Sequence, residues 1–188
     1  VTAAERETML KVMELISDDK STEAVAEIEK NRKEASSAVF DFTLANIWFQ
    51  QEKYEQALAA YQVAVEKFPK FRRAWKNMAM IYVRTGDFAK AVPALTKVIE
   101  LGDNSAVTYG LLGYAYSALD NNISAESAYR MAVLLDGDTL DWKMGLAKSY
   151  FKQQRYADAV SLCDVLIKDN PSNVDMWLLQ ANAWLGLE

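Results

Sequence analysis

The chain has 188 residues, 51% hydrophobic and 25% charged, which is the composition of a folded globular protein and excludes a disordered or collagen-like one. Lys and Arg number 21 against 26 Asp and Glu, a net charge of −5 that argues against nucleic acid or anionic lipid as partners of the surface as a whole. With no His and one Cys, the composition excludes Ser-His-Asp and Cys-His catalysis and an intrachain disulfide, and it leaves almost no way to ligate zinc, so neither metal nor cofactor is expected.

The first residue is Val1, not Met, and no signal segment follows it, so the chain reads as a processed or excised piece. Its composition fits a bacterial cytoplasm or periplasm, the periplasm if Val1 follows a removed signal peptide. No apolar run approaches the roughly 18 residues of a membrane span, and no direct membrane insertion is expected. Residues 3–17 carry Met9, Leu10, Val12, Met13, Leu15 and Ile16, and 21–35 carry Ala24, Val25 and Ile28 among charges. Residues 1–37 therefore read as a helical hairpin, either a degenerate repeat or a cap with a polar outer face.

From residue 38 the chain repeats itself every 34 residues. Small residues recur at Ala45, Ala79, Gly113, Ala147 and Ala181, and a second small column runs through Ala57, Ala91, Ala125 and Ala159. A helix that approaches a partner closely needs a small side chain at the crossing, so each column marks one helix of an antiparallel pair. Leu44, Met78, Leu112 and Leu146 precede the first column, and Trp48, Tyr82, Tyr116, Tyr150 and Trp184 follow it by one turn on the same face. Tyr54, Phe88 and Tyr156 open the second helix. Turn residues separate the helices, among them Thr85-Gly86-Asp87, Asp120-Asn121-Asn122 and Asn170-Pro171-Ser172. The registers divide the chain into 38–71, 72–105, 106–139 and 140–173, with 174–188 as the first helix of a fifth unit. Pro93 falls inside a second helix and predicts a local distortion there.

This pattern of a large residue, Leu, Gly or Ala, Tyr, Ala, a large residue, Ala and Pro resembles the tetratricopeptide repeat (TPR) family, and the segment Asp41 to Pro69 carries nearly all of it. Asp41 and Lys143 replace the first large residue, Asn122 replaces an aromatic, and Asp103 and Gly137 stand at the Pro position. The resemblance implies an all-α fold, a right-handed α-α superhelix (solenoid) of TPR helix-turn-helix repeats. It also implies that the first helix of each pair lines a concave groove that takes an extended peptide or a partner helix.

The register places Val39, Phe42, Asn46 and Phe49 in that groove from the first unit, and Arg73, Lys76, Met80 and Arg84, with Asn77, from the second. Val107 and Tyr114 follow, then Asp141, Met144, Lys148, Phe151 and Lys152, then Asp175, Leu178 and Asn182. Five positive charges (Arg73, Lys76, Arg84, Lys148, Lys152) face two negative ones (Asp141, Asp175), a sign opposite to that of the whole chain. Two readings stand side by side: a groove for an acidic or carboxylate-bearing protein segment anchored by Phe42, Phe49, Tyr114 and Phe151, and ordinary solvated charge on exposed helix faces. The two-carboxylate clamp of chaperone-binding relatives is not matched, since the best window, Phe42, Asn46, Asn77, Val107 and Leu111, retains only the two Asn. Asn46 and Asn77 are suited either to holding a peptide backbone or to hydrogen-bonding the adjacent helix.

The last helix has apolar residues around much of its circumference, with Trp177 and Trp184 as candidates for self-association into a homo-oligomer. Cys163 sits in the packing column of Tyr61, Leu95 and Tyr129 and reads as a buried hydrophobe; Asp136, Asp138 and Asp141 read as turn and cap residues and not as a calcium loop. The leading function is a non-enzymatic protein-interaction scaffold. The alternative is the interaction or self-association portion of a larger protein whose effector or catalytic domain lies outside this chain.

Overall fold

The computed structural model describes residues 2–188; Val1, on which the reading of a processed N-terminus rests, lies outside the described residues. Eleven α-helices and no strand occur among the described residues. They are α1 (Ala3–Ser17), α2 (Ser21–Asn31), α3 (Ala38–Gln50), α4 (Tyr54–Lys67), α5 (Arg72–Arg84), α6 (Phe88–Glu100), α7 (Ala106–Ala118), α8 (Asn122–Leu135), α9 (Leu140–Lys152), α10 (Tyr156–Asp169) and α11 (Val174–Leu185).

Local chemistry sets the helix ends. Thr2 and Glu5 form a reciprocal capping box on α1, and the side chains of Ser37, Asp87, Ser105, Asn121 and Asn173 each accept a backbone N–H at the start of the helix they precede. Four of the tight turns between paired helices use the same device. Glu52, Gly86, Asp120 and Gln154, 34 residues apart, all have left-handed backbone (φ 58°, 77°, 56° and 60°), and only at Gly86 does the residue adopt it without steric cost. α6 runs unbroken across Pro93, so the distortion expected there does not interrupt the helix.

The chain divides into two compact units, residues 1–81 and 82–188. In the first unit α1 packs on α2, α2 on α3 and α3 on α4. Val12, Ala24, Ile28, Phe40, Leu44 and Ile47 form one core cluster there, with Met9, Leu15, Ile16, Val25 and Trp48 packed at its edge. Asp41 is fully buried in this unit: Lys67 Nζ donates to its Oδ2 at 2.7 Å, and Arg32 Nε lies 2.6 Å from Oδ1 as an ion pair without hydrogen-bond alignment. This carboxylate stands where the TPR pattern has a large apolar residue, and it joins the end of α2 to α3 and α4 through charge.

In the second unit each helix from α6 to α11 packs on its successor. Ala125, Tyr129, Leu146, Tyr150, Ala159, Val160 and Ala183 make one cluster, and Met144, Ala147, Cys163, Leu166, Ile167, Met176 and Leu179 another. Cys163 has no exposed surface, and burial pushes its thiol up to about 11, as suits a small packing residue. Glu126, nearly buried on α8, binds Arg155 at 2.8 Å and Arg130 at 3.0 Å. Asp136 accepts the backbone N–H of Asp138 and the hydroxyl of Thr139, a turn arrangement, and no metal-binding cluster occurs among the described residues.

Candidate functional site

The first helices of the hairpins line one cavity in each unit. That of the first unit, about 430 Å³, is apolar and bounded by α1, α3 and the start of α5. Met9, Met13, Val39, Phe42 and Phe71 form its walls, and Asn46, Gln50 and Arg73 supply its polar edge. Phe42 is only 7% exposed: its ring packs on Phe71 at 4.6 Å and Tyr61 at 5.8 Å, and the Arg73 guanidinium covers it at 5.4 Å.

Asn46 and Asn77 are occupied by the protein itself. The Tyr61 hydroxyl donates to Asn46 Oδ1 at 2.5 Å, while Asn77 Nδ2 lies 3.0 Å from Asn46 Oδ1 and 2.8 Å from the Tyr61 oxygen. Of the two readings open to these amides, the helix-to-helix one describes the structure. Burial pushes the Tyr61 phenol up to about 12.

The cavity of the second unit is also about 430 Å³, but polar groups ring it. Tyr114 and Ser117 come from α7, Asn122 and Tyr129 from α8, and Asp141, Met144, Gly145, Lys148 and Lys152 from α9. Tyr129 is 5% exposed and its ring forms the floor; burial pushes its phenol up to about 12, against a hydrogen bond from Ser117 that acts the other way. Lys148 and Lys152 are exposed and make no ion pair among the described residues. Tyr114 is half-exposed and meets Phe88 edge-on at 5.4 Å.

The remaining groove residues divide by environment. Met80 and Val107 are exposed, whereas Met144 is 8% exposed and belongs more to the core than to a contact surface. Phe49 packs against Tyr54 and Phe151 against Tyr156, each beside the turn that joins the two helices of its hairpin. Lys76 and Arg84 already engage other groups, which leaves Arg73, Lys148 and Lys152 as the basic residues facing the two cavities. Ser117, Asn122, Tyr129 and Gly145 were not among the groove residues read from the register, although Asn122 stood out as a departure from an aromatic column.

On α11, Trp177 and Trp184 are 50% and 55% exposed, with Leu178 and Leu185 exposed beside them. Ala181 is exposed as well, while Ala45, Ala79, Gly113 and Ala147, its counterparts in the small column, are buried. No helix of the described residues is long and apolar enough to cross a membrane.

The family model described as Tetratricopeptide repeat protein 21 C-terminal ARM domain matches residues 4–176. Stress-induced-phosphoprotein 1 of Caenorhabditis elegans is 27% identical over 97 residues, which are 52% of this chain and 30% of that protein. The chain thus spans less than a third of that curated relative. Among solved structures, a tetratricopeptide repeat protein from Parabacteroides merdae aligns with a TM-score of 0.74 at 17% identity, over 97% of this chain and 73% of its own. YrrB, described as a TPR protein with an unusual peptide-binding site, aligns with a TM-score of 0.75 at 18% identity, over 86% and 82%. At these identities the likeness is one of fold: all-α, built of TPR helix-turn-helix repeats.

Proposed function

The chain belongs to the tetratricopeptide repeat family, within it to the family described as Tetratricopeptide repeat protein 21 C-terminal ARM domain, and from that premise we propose that it is a non-enzymatic scaffold that binds a peptide segment or partner helix of another protein. TPR folds are consistent with protein-interaction scaffolds, and the finer assignment here is to the faces presented by the first helices. The observation that carries it is the cavity of the second unit, where half-exposed Tyr114 and Lys148 and Lys152, without an ion pair among the described residues, surround a space of about 430 Å³. A rigid helical frame holds such a space ready, so a ligand is met with little ordering cost. The preference is for acidic segments, because Arg73, Lys148 and Lys152 outnumber Asp141 at the cavity edges of a chain whose net charge is −5.

Partner capture from a cell lysate at two salt concentrations, on the wild-type chain and on a variant with Arg73, Lys148 and Lys152 changed to Glu, tests this reading. Partners that bind the wild type through a short synthetic peptide of their own sequence, and are lost from the variant and at high salt, support it. Partners that bind both chains equally place the contact elsewhere and overturn it.

A second reading, self-association through α11, rests on the exposed Trp177, Leu178, Trp184 and Leu185. A dimer mass in solution that reverts to monomer on Trp177→Glu and Trp184→Glu supports it, and a monomer at high concentration overturns it.

A further inference from the structure

Two columns of the repeat pack beside the turn that joins the helices of a hairpin, one at the last turn of the first helix and one at the first turn of the second. Phe49 meets Tyr54 there with ring centroids 6.1 Å apart, and Phe151 meets Tyr156 at 5.5 Å. Val83 and Phe88 hold the same columns in the α5–α6 hairpin. In the α7–α8 hairpin the two positions are Ser117 and Asn122, so both large side chains are replaced by small polar ones at once. A third column, which reads Thr43, Asn77, Leu111 and Leu179 elsewhere, is Gly145 on the helix that follows. All three reduced positions line the cavity of the second unit.

The tyrosine at the back of that cavity differs from its counterpart in the same way. Asn46 and Asn77 saturate the Tyr61 hydroxyl; at Tyr129, 68 residues later, the corresponding residues are Tyr114 and Gly145, and the phenol meets the Ser117 hydroxyl at the edge of the cavity. The Lys148 and Lys152 ammonium groups, with the one O–H left over by the hydrogen-bonded Ser117–Tyr129 hydroxyl pair, make this lining rich in donors, while Met144, Tyr114 and the Tyr129 ring give it apolar walls. Asp141 stands two turns before Lys148 on α9, about 10 Å along the helix axis. That separation is spanned by about three residues of extended chain.

We propose that this cavity receives an Asp or Glu side chain from an extended peptide, its carboxylate held by Lys148 and Lys152, with a large apolar residue beside it and a basic residue about three positions away opposite Asp141. Opposite charges at the two ends of the site fit a chain that passes through it and not one that ends in it. The assignment rests on the peptide-binding reading above and adds to it the place and the ligand chemistry.

The test is a bead library of acetylated, amidated random octapeptides screened against the full chain, with a parallel library bearing free C-terminal carboxylates. Selected peptides are then titrated against Ser117→Phe/Asn122→Tyr, which introduces the aromatic pair of the α3–α4 and α9–α10 hairpins, and against Lys148→Gln/Lys152→Gln. The expected result is enrichment of an acidic residue next to a large apolar one in the amidated library, and at least tenfold weaker binding to both variants. The filled variant is expected to melt at or above the wild-type temperature; should it fail to fold, the lysine variant carries the test alone. Peptides without an acidic residue, undiminished binding to the folded variants, or selection only from the free-carboxylate library overturn the assignment and leave peptide binding standing. If neither library yields a binder, the peptide-binding reading falls with it.

Discussion

The ring of Tyr129 occupies the space that a side chain at position 145 would take: a Cβ built on Gly145 runs into the Tyr129 ring, with Cε2 2.7 Å away. The contact joins α8 to α9 inside the second unit and sets the floor of its cavity. Gly145→Ala is therefore expected to destabilise the chain by about 1–3 kcal/mol through overpacking, read as a lower urea midpoint. Combining it with Tyr129→Leu should recover part of that loss, because the two residues contend for one volume; a strictly additive double variant contradicts the contact.

Tyr61 and Tyr129 give the fold an alkaline limit. Both phenols are raised from about 10 to about 12 in the folded chain, burial being the main cause. A raised pKa means that the unfolded chain releases these protons first, so their contribution is complete below pH 10 and is lost as pH climbs from about 10 to about 12. Stability should fall across that window by up to about 2–3 kcal/mol per tyrosine. Tyr61→Phe should flatten the fall, and an unchanged alkaline profile in the Tyr61→Phe/Tyr129→Phe variant would refute the assignment.

The left-handed turn positions are a reserve of stability. Glu52, Asp120 and Gln154 hold φ near 60° with a full side chain, at a cost that glycine does not bear. Gln154→Gly should raise the melting temperature by the equivalent of up to about 1 kcal/mol, less whatever the freer unfolded glycine takes back. Gly86→Ala, at φ 77° with open space around its Cβ, should lower it by a similar amount through backbone strain alone.

Asp41 carries the first unit's buried charge. Replacing it with Ala leaves Arg32 and Lys67 without their common partner, but both retain exposed side-chain surface (29% and 19%) through which water reaches them. The expected cost is about 1–3 kcal/mol, below that of stranding a fully buried charge. Removing both cations, in Arg32→Met/Lys67→Met, should cost more than Asp41→Ala, because it strands a carboxylate with no exposed surface. Chemical denaturation of the two variants side by side decides the order.

Helix periodicity, paired small columns and turn residues are local signals, and they sufficed to read an all-α chain of TPR helix-turn-helix repeats. The small column at Ala45, Ala79, Gly113 and Ala147 lies buried because a helix crossing tolerates only small side chains there, a constraint written directly into residue identity. The site was less legible. Asn46 and Asn77 had two chemically equal uses, and the choice was made by Tyr61, which the chain brings to them from 15 or more residues away. The register assigns both Lys76 and Lys148 to the groove, yet one engages other groups and the other faces a cavity without an ion pair among the described residues.

Ser117, Asn122 and Gly145 mark the boundary between the two kinds of information. Each departs visibly from its column, so the sequence by itself determined that three positions of one region lost volume. That the losses meet in one space, against the Tyr129 ring and beside Lys148 and Lys152, was decided by the tertiary structure alone. A repeat encodes which face each side chain takes, because helical period is a property of the backbone. Whether neighbours then fill the gap depends on distances between helices that no single column records.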